Sequence, residues 1–338
     1  MITVLAGGTG AARFLQGLAQ VVPQRQVTVV SNTGDDVEMF GLHVSPDIDI
    51  VIYHLASELS PDRPVNGAAS MPPPFGGGGE PFLKLPLANE DPGWGIGGDT
   101  FHTLEALGRF GHPTWFHLGD RDLATSIHRT FLLRLRRTLS QATAEIARAF
   151  GLEATILPMT DGHFRTKVAT DAGILPFQDY LVKRQAQDRV RGVRYAGVRR
   201  AKPAPGVIEA IMDAEAIVIA PSNPIVSIGP ILAVPGVRAA LHRTKAPVAA
   251  VSPIVGGKAL KGPADRMLAD MRMEVSAWQV GQLYQDFLNV LVIDQADAEL
   301  APRIRELDLE VVVTDTIMKG MEKKAALART VLAALKPT

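Results

Sequence analysis

Several apolar runs of this 338-residue chain are followed by loops that carry glycine, acidic or amide residues. These residue types suit the binding of phosphate and metal ions. The motif Gly7-Gly8-Thr9-Gly10 follows the apolar residues 2–6. Backbone N–H groups at the start of a helix favour an anion such as phosphate. The motif lacks the Gly-Lys-Ser/Thr of a Walker A loop and the third glycine of the dinucleotide fingerprint. A tight strand-to-helix turn that needs glycine explains it equally well.

Four aspartates follow the next apolar run, and they are Asp35, Asp36, Asp47 and Asp49. Mg²⁺ prefers such hard oxygen ligands and usually takes one or two carboxylates, while substrate phosphates and water complete its shell. Turn formation and helix capping are the more common roles of a single aspartate. Two adjacent acids close to a glycine-rich phosphate loop favour the metal.

A stiff polar turn lies in the second half of the chain. Pro221 and Pro224 fix the backbone on either side of Ser222 and Asn223, and Ser227 lies three residues further on. Such a turn presents a hydroxyl and an amide to a ligand in a defined position.

A second polar loop starts at Ser252 and contains the glycine pair Gly256-Gly257, with Lys261 shortly after. A lysine beside glycines suits a phosphate group. Asp265, which follows, suits either a guanine edge or a helix cap. For the lysine, a solvated surface position is the alternative.

Arg129 is the preferred cation for a carboxylate or phosphate group, because guanidinium binds both in a bidentate manner. The eight histidines show no zinc-binding spacing, and no Gly-x-Ser-x-Gly motif supports a serine hydrolase. The chain has no cysteine, which excludes disulfides, thiolate metal sites and cysteine nucleophiles.

Short, nearly continuous apolar runs must position these loops. The runs are residues 2–6, 27–30, 115–118, 216–220, 247–251, 290–293 and 311–313. Such runs predict strands that are buried on both faces, as in a parallel sheet covered by helices. Helical spacing between them occurs in residues 11–22, 142–150, 205–212 and 320–335. The alternation predicts an α/β fold with a doubly wound, mostly parallel, Rossmann-like sheet. Ligands of such sheets bind at the carboxyl ends of the strands, where the polar loops lie.

Two regions interrupt this alternation. Residues 159–205 lack a clean βα repeat, so we assign them to a smaller inserted subdomain, with residues 1–158 and 206–338 as the Rossmann-like core. Residues 57–92 are rich in proline and glycine. We interpret them as a long mobile insertion.

Charge and composition limit the kinds of partner. Lysine plus arginine and aspartate plus glutamate number 35 each, so no net charge is available to attract nucleic acid or an anionic membrane. The N-terminus lacks the basic start of a signal peptide, and no apolar run approaches twenty residues. We expect a cytoplasmic globular protein, and a homodimer because dimers are the most common oligomers.

Seven segments resemble the 2-phospho-L-lactate transferase family of coenzyme F(420) biosynthesis. Two of them are long and unusual, PSNPIVSIGPILAVP at 221–235 and SPIVGGKALKGPADRML at 252–268. The others are LAGGTGAARFLQGL at 5–18, NTGDD at 32–36, GLHVSPDID at 41–49, residues 94–101 and LGDRDLATSIHRT at 118–130. The chain departs from the family pattern at Ala11, where the family usually has glycine.

The resemblance implies transfer of a phosphorylated three-carbon acid from a GMP-linked diphosphate donor to the ribityl hydroxyl of a deazaflavin, with release of GMP. The deazaflavin is 7,8-didemethyl-8-hydroxy-5-deazariboflavin, called Fo. The three-carbon acid is phospholactate, phosphoenolpyruvate or phosphoglycerate, and the sequence leaves this open. Phosphoryl transfer mainly requires positioning and charge neutralisation.

The same resemblance assigns roles to individual residues. It implies an Mg²⁺ ion held by Asp36 and Asp49. These two acids and Arg129, which was chosen above for its bidentate guanidinium, form the predicted catalytic set. The residues assigned to substrate binding are Gly8, Thr9, Gly10, Asn32, Asp35, His43, Ser45, Ser222, Asn223, Ser227, Ser252, Gly256, Gly257, Lys261 and Asp265.

The alternative is a non-catalytic regulator of the gluconeogenesis-factor type, which binds nucleotide-sugars on the same fold. It would share the glycine loop and the early acids but lack the paired segments 221–235 and 252–268. Their presence favours the transferase. A nicotinamide oxidoreductase would rest on sheet topology alone.

Overall fold

The chain folds around a central sheet, which we describe from a computed structural model that covers residues 1–57, 95–96 and 99–335. The strands of these ranges are β1 Ile2–Ala6, β2 Val27–Ser31, β3 Val37–Met39, β4 Leu42–Val44, β5 Thr155–Pro158, β6 Arg165–Thr170, β7 Gly173–Pro176, β8 Val190–Ala196, β9 Ala216–Ile219, β10 Val248–Val251, β11 Ile254–Val255, β12 Lys258–Ala259, β13 Val290–Asp294 and β14 Glu310–Thr314. The helices are α1 Gly8–Ala19, α2 Pro46–Ser57, α3 His102–Arg109, α4 Asp120–Arg134, α5 Leu139–Ala149, α6 Val207–Met212, α7 Ile228–Ala233, α8 Val237–Arg243, α9 Ala264–Asp270, α10 Ala277–Tyr284, α11 Ala301–Arg305 and α12 Gly320–Ala334.

The central sheet has the strand order β14-β13-β10-β9-β1-β2-β5, and each neighbouring pair is parallel. This confirms the predicted α/β fold with a parallel sheet. The strand order reverses beside β1, because β2 and β5 lie on one side of it while β9, β10, β13 and β14 lie on the other. Ligands of open parallel sheets bind at such a switch point.

The continuous apolar character of the strands follows from burial on both sheet faces. Successive side chains of a strand point to opposite faces. Leu5 therefore joins a core with Ile219, while its neighbour Val4 joins a second core with Val218. All five residues of β1 are buried.

Residues 159–205 contain an antiparallel sheet with the order β7-β6-β8. Its buried side chains, among them Phe164, Val168 and Tyr180, belong to the same hydrophobic core as Leu5 of the central sheet. The segment thus has its own sheet but shares its core with the rest of the chain. Its assignment as a separate domain stays a prediction, and the predicted insertion lies, from residue 58 onwards, outside the described residues.

The strand predicted at residues 115–118 is wrong. The backbone turns locally there, with the Leu118 N–H donating to the Phe116 carbonyl at 3.0 Å. Both side chains are buried in a small third cluster with Met39, Val44 and Leu123. The apolar residues thus cover the β3–β4 hairpin and α4, and they do not join the central sheet. Sequence analysis also missed the edge strand β5 and the helix α2.

The helices of the described ranges include none that is long and apolar enough to cross a membrane.

Candidate active site

Two loops meet at the switch point of the central sheet. The glycine loop, residues 7–10, follows β1, and the 221–227 turn follows the neighbouring strand β9. A Cβ atom at Gly10 would clash with the Pro221 carbonyl oxygen, and one at Gly7 would lie 2.7 Å from Ser227 Cβ. The glycines therefore allow the two loops to touch.

Asn32 joins this contact to the acids that follow β2. Its side chain is fully buried, and Nδ2 donates to Asp35 Oδ1 at 2.6 Å, to Asp47 Oδ2 at 2.8 Å and to the Val226 carbonyl at 3.3 Å. Its Oδ1 accepts from the Gly34 N–H at 2.7 Å. Both the nitrogen and the oxygen of the Asn32 amide thus already have hydrogen-bond partners within the protein. Asn32 therefore fixes the positions of Asp35, Asp47 and the 221–227 turn. Its direct contact with substrate stays a prediction.

Asp47 holds the start of the glycine loop. Its Oδ1 accepts from the Gly8 N–H at 2.8 Å, and the residue lies in the first turn of α2. Sequence reasoning counted Asp47 among the four aspartates that suit a metal but did not select it as a site residue. Ser45-Pro46-Asp47 was the available signal, because proline and acidic residues are typical of the first turn of a helix.

Burial raises the pKa values of both carboxyl groups that share the Asn32 amide. For Asp47, burial is opposed by the hydrogen bonds from Asn32 and Gly8, and the pKa rises to about 6. The pKa of Asp35 rises well above its ordinary range because of burial and the Asp47 charge. This region accommodates negative charge poorly, so a cation placed there would stabilise the ionised forms.

Asp36 and His43 form a second part of the site. His43 Nε2 lies 2.8 Å from Asp36 Oδ2, and the His43 N–H donates to Thr130 Oγ1 at 2.7 Å. The other carboxylate oxygen, Asp36 Oδ1, is buried and has no hydrogen-bond partner within the described residues. It is an available hard oxygen ligand.

Asp49 forms a buried ion pair with Arg129. The guanidinium NH1 donates to Asp49 Oδ2 at 3.1 Å, and NH2 donates to Asp49 Oδ1. The Arg129 and Asp49 side chains are 0% and 2% exposed. Burial raises the pKa of Asp49, and the Arg129 charge opposes that rise. Both Asp49 oxygens are therefore engaged, and Arg129 is held inside the protein, where NH1 also approaches the His43 carbonyl at 3.5 Å.

The 221–227 turn is held by Asn223. Its Oδ1 accepts from the Ile225 and Val226 N–H groups at 2.9 and 3.2 Å, and its carbonyl accepts from the Ser227 N–H at 3.1 Å. Its Nδ2 lies 3.7 Å from Met267 Sδ in α9, which links the turn to the 252–268 segment. Ser222 Oγ is buried and has no hydrogen-bond partner in the part of the chain that the structure describes.

The 252–257 loop is a short hairpin whose polar groups are mostly used internally. Ser252 Oγ donates to the Ile254 carbonyl at 2.9 Å. The Gly256 N–H donates to both oxygens of Asp297 at 3.1 Å, and Gly256 and Gly257 have φ values of 55° and 73°. The glycines thus make a turn that only residues tolerant of positive φ adopt easily. Asp297 is a neighbour that sequence reasoning missed, because it lies far along the chain.

Lys261 lies close to α1. Partial burial and the charge of Arg13 lower its pKa to about 8. Asp265 lies in the first turn of α9, where its Oδ1 accepts from the Arg266 N–H at 2.8 Å. Thr9 lies in the first turn of α1, and Ser45 is fully buried directly before α2.

Through Asn32, the structure thus brings Asp35, Asp47, the glycine loop and the 221–227 turn together, while Asp36 and Asp49 contact His43 and Arg129. A family model described as 2-phospho-L-lactate transferase CofD matches residues 2–333. The chain belongs to this family. The resemblance found in the motifs is confirmed over nearly the whole sequence.

Two relatives of similar length support membership in the 2-phospho-L-lactate transferase family. A 2-phospho-L-lactate transferase of Methanothermobacter thermautotrophicus is 37% identical over 332 residues, which cover 98% of this chain and 97% of the relative. A phosphoenolpyruvate transferase of Streptomyces coelicolor is 39% identical over 337 residues, with the same coverage. The family therefore includes relatives named for different three-carbon acids.

A solved structure shows the same fold. Protein BH3568 from Bacillus halodurans superimposes with a TM-score of 0.59 at 16% sequence identity, covering 98% of each chain. At this identity the likeness concerns the arrangement of strands and helices alone.

Proposed function

We propose that this protein transfers a phosphorylated three-carbon acid from a GMP-linked diphosphate donor to the ribityl hydroxyl of Fo, and that GMP is released. The step forms a bond between the ribityl oxygen and the phosphorus that carries the three-carbon acid. The bond from this phosphorus to the oxygen of the GMP phosphate breaks, and the hydroxyl proton passes to water. Family membership supports a transferase of coenzyme F(420) biosynthesis.

The observation that carries the proposal is the position of Asn32. Its amide contacts Asp35 and Asp47 from the first half of the chain and the Val226 carbonyl from the second half. Acids that suit a metal and a turn that suits a nucleotide thereby border one region. A diphosphate that spans this region would meet both.

The donor set fits Mg²⁺ at Asp36. This carboxylate has a buried oxygen without a hydrogen-bond partner within the described residues, and Mg²⁺ commonly takes only one or two carboxylates. The described ranges contain no group of three acids or histidines arranged around a common point, so phosphates and water would supply the other ligands. When bound, the ion would neutralise charge on the diphosphate.

Asp49 would act differently from Asp36. Both of its oxygens accept from Arg129, so it would reach a metal only by giving up one of these bonds. We therefore propose Asp36 as the main ligand. Asp49 would hold Arg129, whose charge lies next to the His43 carbonyl and stabilises negative charge in the site.

The remaining groups position the substrates. The start of α1 offers backbone N–H groups to a phosphate, although the Gly8 N–H is taken by Asp47. The 221–227 turn and the 252–265 loop would bind the guanylated part. Lys261 would bind a phosphate of the donor.

The identity of the three-carbon acid needs a direct measurement, because relatives named for phospholactate and for phosphoenolpyruvate are almost equally similar to this chain. The protein should be incubated with Fo, Mg²⁺ and each guanylated donor in turn, followed by mass analysis of the deazaflavin product. We expect one donor to give product and GMP in equal amounts.

The control is the Asp36→Asn variant, which keeps the size of the side chain and removes its charge. If neither GMP nor a deazaflavin product forms with any donor, the transferase proposal is wrong and a nucleotide-binding regulator is favoured. A homodimer stays a prediction, which light scattering of the purified protein would check.

A further inference from the structure

The segment 159–205 carries an unusual charge for this protein. It contains ten lysines and arginines but only four aspartates, although the whole chain has a formal net charge of zero. Two of these aspartates are already paired within the segment, Asp171 with Arg191 and Asp188 with Arg184. Arg189 also pairs with Asp270 outside the segment. The segment still keeps an excess of cations, and three of them, Arg165, Lys167 and Arg194, lie on strands of its small sheet.

Three of the cations share one face of the sheet. Along β6, Thr166, Val168 and Thr170 are buried, so the alternate residues Arg165 and Lys167 point to the outer face. The register pairs Lys167 with Arg194 of β8, which is exposed. We call Arg165, Lys167 and Arg194 the outer cationic face.

This arrangement is unfavourable unless an anion is near. Like charges directly opposite each other on antiparallel strands destabilise the pair. Within the described residues, neither Lys167 nor Arg194 has an ion pair with an acid, and Arg165 NH1 donates only to the neighbouring Phe164 carbonyl at 2.7 Å. The fold thus keeps a repulsive pair that no described acid neutralises.

The sheet that carries the face is attached to the candidate active site. The Thr166 N–H donates to the Gly34 carbonyl at 2.7 Å, one residue before Asp35. Tyr195, which pairs with Thr166 across the strands, donates its OH to the Ile225 carbonyl at 2.5 Å. Arg165 and Lys167 flank Thr166, so they lie about one residue spacing, roughly 3.3 Å along the strand, from this attachment.

We propose that the outer cationic face captures the anionic diphosphate donor and directs it to the site. This rests on the proposed function, in which the donor carries a diphosphate and a carboxylate. Besides Asp49, which Arg129 already neutralises, the site contains the buried acids Asp35, Asp36 and Asp47. These acids repel such a molecule until a cation neutralises them, and the outer cationic face offsets this repulsion during approach. Fields of this kind raise association rates by about 10-fold to 1,000-fold and weaken with salt.

The test compares two variants with the same change in net charge. The face variant is R165Q/K167Q/R194Q. The control variant is R25Q/K245Q/R305Q, which also replaces two arginines and one lysine. These three residues are exposed and precede β2, β10 and β14, at the amino ends of the central-sheet strands and away from the candidate active site. Both variants are measured for kcat and for kcat/KM of the guanylated donor at about 0.01 M and about 1 M ionic strength, where the Debye length is about 30 Å and about 3 Å.

At low salt we expect kcat/KM for the donor to fall about tenfold in the face variant while kcat stays unchanged. At high salt the face variant and the wild type should agree, and the control variant should follow the wild type throughout. The urea midpoint of the face variant should be equal to or above that of the wild type, because a repulsive pair has been removed.

Two results would overturn the capture surface. The first is that the wild type is active and the kcat/KM of the face variant depends on salt in the same way as that of the wild type. The second is that the face variant loses kcat, which would place these cations in direct contact with the reacting groups. A wild type that forms no product from any donor would instead refute the proposed function.

Discussion

Replacing Arg129 by methionine should strongly destabilise the protein, because it leaves the buried Asp49 carboxylate without its guanidinium partner. Methionine keeps much of the length and packing volume of the side chain while the charge is lost. Removing one partner of a buried ion pair costs about 3–5 kcal/mol of unfolding free energy, whereas an exposed pair contributes about 0–1 kcal/mol. The pair belongs to the first class, since its side chains are 0% and 2% exposed.

The assay is urea unfolding followed by circular dichroism, with the wild type and variant compared at the same pH. The matched control is Arg238→Met, which breaks the exposed pair with Asp286, whose side chains are 44% and 38% exposed. We expect a loss of about 3–5 kcal/mol for Arg129→Met and less than about 1 kcal/mol for the control.

A double-mutant cycle separates the pair from its surroundings. Asp49→Asn alone leaves the guanidinium buried without a counter-charge, and it should also destabilise. The double variant of Arg129→Met with Asp49→Asn should lose less than the sum of the two single variants, by about 1–3 kcal/mol. A loss below about 1 kcal/mol for Arg129→Met, or additivity in the cycle, would refute the reasoning that this pair is a buried, mutually dependent unit.

Three further predictions concern the site. Asp36→Asn should lower kcat by at least about 100-fold with an unchanged urea midpoint, since it removes the available carboxylate oxygen, and a fully active variant would contradict the metal assignment. Lys261 has a pKa of about 8, so the side chain loses its charge as the pH rises through 8, and KM for the donor should increase there. Lys261→Arg should abolish that increase up to pH 9, and an unchanged KM in wild type between pH 7 and 9 would exclude a phosphate contact. Gly10→Ala should lower the unfolding free energy by about 1–3 kcal/mol, because the added Cβ would clash with the Pro221 carbonyl oxygen. The control is Gly192→Ala, where a Cβ has open space, and it should have little effect. Equal urea midpoints for the two alanine variants would show that the glycine loop and the 221–227 turn are not in tight contact.

Much of the fold was predictable from the sequence because parallel strands buried on both faces need continuous apolar runs. The runs that became β1, β2, β9, β10, β13 and β14 all carry this signal. Residues 115–118 carry it too, yet they form no strand, because their apolar side chains cover a small hairpin. A short apolar run alone does not distinguish these two outcomes.

The candidate site was predictable as a set of loops but not as a set of contacts. Sequence reasoning selected Asp36 and Asp49 as equivalent metal ligands. The structure gives them different partners, since Asp36 keeps a buried oxygen without a hydrogen-bond partner within the described residues, while both oxygens of Asp49 accept from Arg129. Asp49 and Arg129 are 80 positions apart, so no local pattern signals their pairing.

The sequence by itself determined the parallel α/β architecture, the family, and the polar loops that end at the carboxyl edge of the sheet. These follow from local residue order, which sets strand burial and places glycine, proline and acids directly after each strand. Tertiary structure alone decided that Asn32 bridges two acids to the Val226 carbonyl, 194 positions away. That contact exists because β9 takes the place next to β1 in the sheet, and the order of strands depends on the packing of the whole core.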